Sequence, residues 1–202
     1  MSTAERQLRE KICLAGRELR QRGLSFGCEG NLSCRLDSNQ ILITPAGKDK
    51  GTLVPVEIVC VSTQGQVRAG ELEPSSEWRL HAAAYAVDAG VNAAVHLHPP
   101  YATAFAVAER PFATEKFTEL AALLGEVPLI PYAPPGSEQL ANTVATRLAQ
   151  GHTFLLARHG LVSFGDDLDQ ACTRVIAAEH CAQILWLAEA LLRPPTKFRS
   201  EH

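Results

Sequence analysis

The stretch "AVHLHPPYATA", residues 94–104, places His96 and His98 one residue apart after an apolar run and before Pro99-Pro100. On a β-strand alternate side chains share a face, so both imidazoles project the same way, about 6.6–6.8 Å apart along the strand. Such a pair is either half of a metal site or an exposed pair of no consequence. Zinc takes four N, O or S ligands in a tetrahedron, and a catalytic centre leaves room for water or substrate. The third nitrogen candidate is His159, in "LLARHGLVSFG", at the end of a second apolar strand where Gly160 lets the chain turn. The carboxylate candidate is Glu77, expected in the first turn of a helix that begins near Pro74. The positive end of that helix favours the ionised form, and a carboxylate there can ligate metal or let go and move a proton. His81 shares Glu77's helix face and reads as packed, or bonded to Glu77, rather than as a ligand. His152 and His180 read as loop and helix surface.

These residues converge only if the elements around them bring the two strand ends together. Ser2 and Glu5 fit a capping box, and Leu8, Ile12, Ala15 and Leu19 follow at helical spacing, so residues 2–22 are predicted helical, with Gly23 as the stop. Leu32, Cys34 and Leu36 alternate with polar residues before a turn at Ser38-Asn39 and "ILIT", a hairpin pattern. "VEIVCVS" (56–62) and "QVRAG" make a second hairpin, which implies antiparallel pairing. The pattern then turns helical from Pro74 to Gly90, and "VNAAVHLH" reads as a short buried strand. Helices are expected at "YATAFAVAE" and 117–125, with "VPLIPY" extended. Ser137 caps a helix "EQLANTVATRLAQ" that Gly151 ends. "TFLLARHG" is a buried strand, "LVSFG" its continuation or partner, and a long helix covers 168–192 with Val175, Ala178, Ala182, Leu185 and Ala188 along one stripe. The sum is a partly antiparallel sheet with helices on both faces.

A chain of 202 residues without repeats or linkers suits one domain, 1–202. The formal net charge of −3, with no run of one sign, argues against a nucleic-acid binder. No uninterrupted apolar stretch reaches the roughly 18 residues of a membrane span. The opening "MSTAERQLREK" lacks the apolar core of a secretory signal, so the expected location is cytoplasmic. The six cysteines form no Cys-x-x-Cys pair and are expected to be free thiols.

Five stretches, in order, span nearly the whole chain: "GNLSCRL", "ITPAGKDKGTL", "EPSSEWRLHAAAY", "AVHLHPPYATA" and "LLARHGLVSFG". Together they resemble the class II aldolase/adducin family. The resemblance implies an α/β fold, a three-layer αβα sandwich with a largely antiparallel central sheet. It implies Zn2+, with Mn2+ or Co2+ as alternatives, on His96, His98 and His159. Glu77 would ligate the resting metal and act as acid and base. The family's phosphate-binding loops fall on Gly30-Asn31, Ala46-Gly47 and Ser75-Ser76, where backbone N–H groups, an amide and hydroxyls can donate to an anion. Lys48 stands close enough in sequence to add charge. Also implied is a cyclic homotetramer with active sites between subunits.

The activity so implied is a zinc-dependent lyase. It would cleave a small sugar phosphate or related hydroxy-keto compound by an aldol reaction, through a metal-stabilised enediolate, with Glu77 moving the proton. The chain departs from the family's aldolases in one respect that bears on this. "RPFATEKFTELAALLG" has no tyrosine where those enzymes carry one to protonate the leaving aldehyde. Tyr101 and Tyr132 fall elsewhere, and the ending "KFRSEH" lacks a tail tyrosine. Cys28 and Ala46 replace threonines that help to hold phosphate. The alternatives are an epimerase, a dehydratase or a keto-acid-phosphate decarboxylase, the last needing no such tyrosine. A non-catalytic adducin-like binding module would be expected to have lost the four ligand residues, which are all present.

Overall fold

The structure is a computed structural model and describes residues 1–192; the ending "KFRSEH", and with it the missing tail tyrosine, lies outside the described residues. The first helix, α1, spans Thr3–Gln21, and Ser2 Oγ accepts from the Glu5 N–H at 3.1 Å. The expected capping box is only half made. The Glu5 carboxylate instead accepts from Arg9, at 2.9 and 2.7 Å, because that guanidinium is buried and needs an anion. Arg9 also donates to the carbonyls of Pro55 and Ile58, which fastens α1 to the loop between the hairpins.

Strands β1 (Asn31–Arg35) and β2 (Gln40–Ile43) form the first hairpin, and β3 (Val59–Ser62) and β4 (Val67–Ala69) the second. The second begins later than its apolar run suggests, since Pro55–Glu57 folds as a short 3-10 turn. Proline at the start of a turn loses no ladder hydrogen bond there. The remaining strands are β5 (Ala93–Leu97), β6 (Leu129–Ile130), β7 (Thr153–Leu156) and β8 (Gly160–Gly165). They complete one sheet in the order β4-β3-β2-β1-β5-β8-β7-β6, antiparallel throughout except for β6 beside β7. "LVSFG" is therefore the antiparallel partner of "TFLL", not its continuation.

Helices α2 (Trp78–Val87) and α5 (Glu138–Ala145) cover one face of the sheet. The other face carries α1, α3 (Pro100–Val107), α4 (Thr118–Leu124) and α6 (Leu168–Leu192). This is the expected αβα sandwich with a largely antiparallel sheet. Alternation divides the strands between the layers: Leu32 and Cys34 pack under α1 and α6, while Ile41, Ile43 and Phe164 pack under α2 and α5.

Two helix boundaries and one buried stripe differ from expectation. Helix α2 starts at Trp78, not near Pro74. The Ser75 N–H donates to Thr44 O at 3.1 Å and the Ala46 N–H to Glu73 O at 2.9 Å, so residues 73–75 are pinned as an edge bridge and cannot begin a helix. Glu77 thus caps α2 instead of lying in its first turn. The helix α5 ends at Ala145, and Leu148–Gln150 form a separate 3-10 turn. On α6 the stripe Val175, Ala178, Ala182 and Leu185 is buried, but Ala188 is exposed. Among the described residues α6 alone is long and apolar enough by composition to cross a membrane. Its buried stripe belongs to the core against the sheet, which accounts for that composition.

Arg35 ties the sheet to the end of α2. Its guanidinium donates to the carbonyls of Tyr85 (2.7 Å), Asp88 (2.9 Å) and Val91 (2.7 Å). Replacing it strands these acceptors. Arg35→Ala is expected to cost about 2–3 kcal/mol in urea unfolding while metal content stays unchanged.

Candidate metal centre

His96 lies on β5, the strand flanked by β1 and β8, opposite Asn31 on one side and Val162 on the other. His98 follows just past the strand end, and His159 sits in the tight turn between β7 and β8. Antiparallel pairing of β8 with β5 returns that turn to the His98 end of β5, so the two strand ends do meet. Two glycines permit the approach. A Cβ on Gly30, which has φ +72°, would stand 2.5 Å from His96 O, and one on Gly160 would stand 2.6 Å from the His98 ring.

The three imidazoles converge through one edge. His96 Nε2 lies 3.2 Å from His159 Nε2 and 3.2 Å from His98 Nε2. Glu77 closes the set, with Oε2 3.0 Å from His96 Nε2 and Oε1 3.6 Å from His159 Nε2. Tetrahedral Zn–N bonds of about 2.0–2.1 Å put ligand nitrogens about 3.3–3.4 Å apart. The observed spacings suit one small cation at the centre. Proton sharing does not satisfy the cluster, because Glu77 Oε1 is buried without a hydrogen-bond partner. The residues present fit a divalent metal.

The surrounding groups set the ligands' protonation. The Nδ1 edge of His96 lies 3.0 Å from the Leu161 carbonyl, which can only accept, so Nδ1 carries a proton and Nε2 faces the centre. Burial opposes charge on Glu77, yet attraction to His96 and His159 and hydrogen bonds from His96 and Asn31 hold its carboxyl far below the usual range. Asn31 Nδ2 donates to Glu77 Oε2 at 2.9 Å. Burial likewise opposes charge on His96, but attraction and a hydrogen bond to Glu77, with the bond to the Leu161 carbonyl, raise its pKa. Burial and the neighbouring imidazoles push His98 down to about 4, and burial and His96 push His159 down to about 4. Both are neutral donors at neutral pH.

His81 is not a partner of Glu77. It is fully buried, with Nδ1 2.6 Å from Ser33 Oγ, which is itself 2.6 Å from the Tyr85 hydroxyl. The three loops expected to bind an anion, Gly30-Asn31, Ala46-Gly47 and Ser75-Ser76, lie in one region. Gly30 abuts β5; Ala46 and Ser75 are joined by the bridge at Pro45 and Pro74; Gly47 faces open space; Ser76 is exposed. Asn31 is turned to Glu77 rather than outward. Lys48 does not face these loops, since its Nζ pairs with Glu57 at 3.1 Å. Two neighbours escaped the sequence reading. Glu29 Oε2 lies 3.4 Å from His98 Nδ1, and Lys50 is buried beside the loops with its Nζ on backbone carbonyls. The motif "GKDK" holds both lysines and gives no sign of which one turns inward.

Residues 10–186 match the family described as Class II Aldolase and Adducin N-terminal domain. The chain belongs to this family. It is similar to the 3-oxo-tetronate 4-phosphate decarboxylase of Haemophilus influenzae, 35% identical over 88% of this chain and 86% of that protein. It is also similar to the L-fuculose phosphate aldolase of the same organism, at 33% identity over 91% and 78% of the two chains. A solved L-fuculose 1-phosphate aldolase superposes with a TM-score of 0.86 at 30% identity, covering 96% of this chain and 91% of that one.

His96→Ala removes the ligand shared by every close contact in the cluster. Bound metal, measured on protein purified without chelator, is expected to fall at least tenfold, with the sheet intact by circular dichroism. A pH dependence follows for the metal-free chain. His81, His98 and His159 titrate near 3, 4 and 4 when folded against 6.5 when unfolded, so between pH 6.5 and 4 the unfolded chain binds more protons. Stability therefore falls as pH drops through this window; the raised pKa of His96 works the other way at one site only. Urea midpoints of the metal-free chain are expected to be lower at pH 5 than at pH 7.5.

Proposed function

We propose that this chain is a metal-dependent carbon–carbon lyase acting on a small phosphorylated hydroxy-keto compound. The observation that carries the reading is the convergence of three imidazole Nε2 atoms and the Glu77 carboxylate on one point. His96, His98 and His159, with Glu77, would hold the cation, zinc being the metal best suited to this donor set. When bound, the cation supplies a Lewis acid that polarises the substrate carbonyl. Glu77 is the proton carrier. It is ionised, accepts from Asn31 through one oxygen, and keeps its other oxygen free of hydrogen bonds. The loops at Gly30-Asn31, Ala46-Gly47 and Ser75-Ser76 would anchor the phosphate at the far end, where binding energy orients the reacting carbons.

Two lyase reactions fit this apparatus, and they differ in how many protons must be moved. Aldol cleavage needs a base at the hydroxyl of the departing aldehyde and an acid for the carbon left behind. Loss of CO2 from a 3-oxo acid leaves an enolate that needs one proton; Glu77, ionised at rest, would take that proton from solvent or a substrate hydroxyl and pass it to the carbon. Tyr101 lies against Trp186, and Tyr132 lies under the Arg158 guanidinium. Neither bonds to the metal cluster, which favours decarboxylation of a 3-oxo acid phosphate over aldol cleavage. The similarity to 3-oxo-tetronate 4-phosphate decarboxylases supports the same choice. An epimerase or dehydratase on this scaffold is the remaining alternative.

Residues 1–202 would form a single domain of the family, and the enzyme would assemble as a homotetramer with active sites between subunits. The exposed apolar end of α6, where Leu191 and Leu192 are 86% and 83% accessible, supports association. Free cysteines fit a cytoplasmic location.

A panel of 3-oxo acid phosphates and ketose phosphates, assayed for CO2 and aldehyde, tests the reading. CO2 from a 3-oxo acid phosphate, dependent on added metal, is the expected result; aldehyde release alone would reassign the reaction. Glu77→Gln is expected to retain metal and lose turnover by about 10²–10⁴-fold. Normal turnover in that variant would remove Glu77 from its role.

A further inference from the structure

Lys50 is only 1% exposed and is among the largest fully buried side chains of the described residues. A buried ammonium must be compensated, and its charge is costly without partners. Two of its donors are accounted for. Nζ donates to Cys28 O at 2.8 Å and to Lys48 O at 2.7 Å. Those carbonyls belong to two different segments. Cys28 stands two residues before Gly30-Asn31, and Lys48 directly follows Ala46-Gly47. A second contact crosses the same seam, the Cys28 thiol donating to Gly47 O at 3.1 Å. The backbone at Lys50 is packed tightly under α1: a Cβ on Gly16 would stand 2.4 Å from Lys50 O. Burial lowers the Lys50 pKa, and nearby Cys28 and Asp49 act to restore it.

We propose that the Lys50 ammonium binds the 28–31 and 46–48 segments into one anion receptor, making Lys50 a positioning residue for the substrate's phosphate. The proposal rests on the phosphate reading above. Lys48, the lysine nearest Gly47 in sequence, is committed to Glu57 at the surface. Lys50 is instead the cation placed beneath both loops, where low dielectric extends its pull on an anion. Its hydrogen bonds hold the backbone of the two segments at a fixed separation before any anion arrives. A phosphate then meets a preformed site and spends little binding energy on ordering loops.

The test uses the full-length, zinc-loaded chain with inorganic phosphate as the probe. Binding is measured by isothermal titration for the wild type and Lys50→Met. The variant is expected to lose at least about tenfold in phosphate affinity, with metal stoichiometry and far-ultraviolet circular dichroism unchanged. A purely structural lysine would lower metal retention and thermal stability instead, leaving phosphate affinity per folded molecule as in the wild type; that result overturns the proposal. Hydrogen exchange on the wild type covers the case in which the variant does not fold. Phosphate is expected to slow exchange in both segments, 28–31 and 46–48, with one common midpoint. Protection of one segment alone, or two separate midpoints, overturns the proposal. If the wild type binds no phosphate by either method, the phosphate reading falls and takes this one with it. If the wild type binds and Lys50→Met binds equally, only the role of Lys50 falls.

Discussion

Everything at the centre depends on β5 being hydrogen-bonded on both sides. Asn31 on β1 and Val162 on β8 face His96 across the ladder, so its position is set by backbone bonds on two neighbours rather than by its own side chain. The same pairing delivers the β7–β8 turn, and His159 with it, to the end of β5. A ligand held on a strand inside a sheet has little freedom to drift, which suits a cation that tolerates only small changes in donor spacing. His98 lies just past the strand and is the loosest of the three. Its Nδ1 is 3.4 Å from the half-exposed Glu29 carboxylate, a partner suited to orienting the ring once Nε2 is engaged.

The pairing also explains why a cluster so costly to bury persists. The anionic Glu77 and several imidazoles sit with little access to water, and four buried polar atoms around them, on Asn31, Glu77, His81 and His159, lack partners. In an ordinary core each would be a defect. Of these, Glu77 Oε1 faces the imidazole cluster, 3.6 Å from His159 Nε2, where a divalent cation would meet it. Behind the centre, Ser33, His81 and Tyr85 form a buried hydrogen-bonded chain on the same face of β1 as Asn31. That chain packs α2 against the sheet, and α2 is the helix that Glu77 caps.

Much of this was legible from residue types and periodicity. The alternation in "NLSCRL" and the turn at Ser38-Asn39 gave the first hairpin, and the His-x-His spacing marked the strand that carries the metal ligands. Hairpin signals also implied the antiparallel sheet. What escaped depended on contacts distant in sequence. The start of α2 moved to Trp78 because residues 73–75 bond to residues 44–46, and no local propensity records a bridge of that kind. Glu5 left its capping role for a buried arginine for the same reason. At the site, the four clustered residues, His96, His98, His159 and Glu77, were identifiable, but the Asn31 amide turned to Glu77 and the burial of Lys50 rather than Lys48 were not. Each depends on which of several polar groups finds a buried partner, which is decided by packing.

The distribution of charge bears on the chemistry more directly than the fold does. A substrate with a phosphate and a carboxylate brings substantial negative charge to a centre that already holds Glu77, with Glu29 at its rim. A divalent cation offsets part of that charge, and the ammonium of Lys50 lies on the side where the anion loops meet. Under the proposed reading the two positive charges would be separated along the substrate. One would act on the carbonyl, where bonds change, and the other on the remote group, which only needs to be held. Such a division lets the distant end supply binding while the metal end keeps its geometry for the reaction. It also leaves Glu77 as the buried carboxylate against the imidazole cluster, with one oxygen free of hydrogen bonds. An ionised carboxylate has no proton to give until it has taken one up, so under the proposed reading each proton that reaches the substrate carbon through Glu77 would first be drawn from solvent or from a substrate hydroxyl.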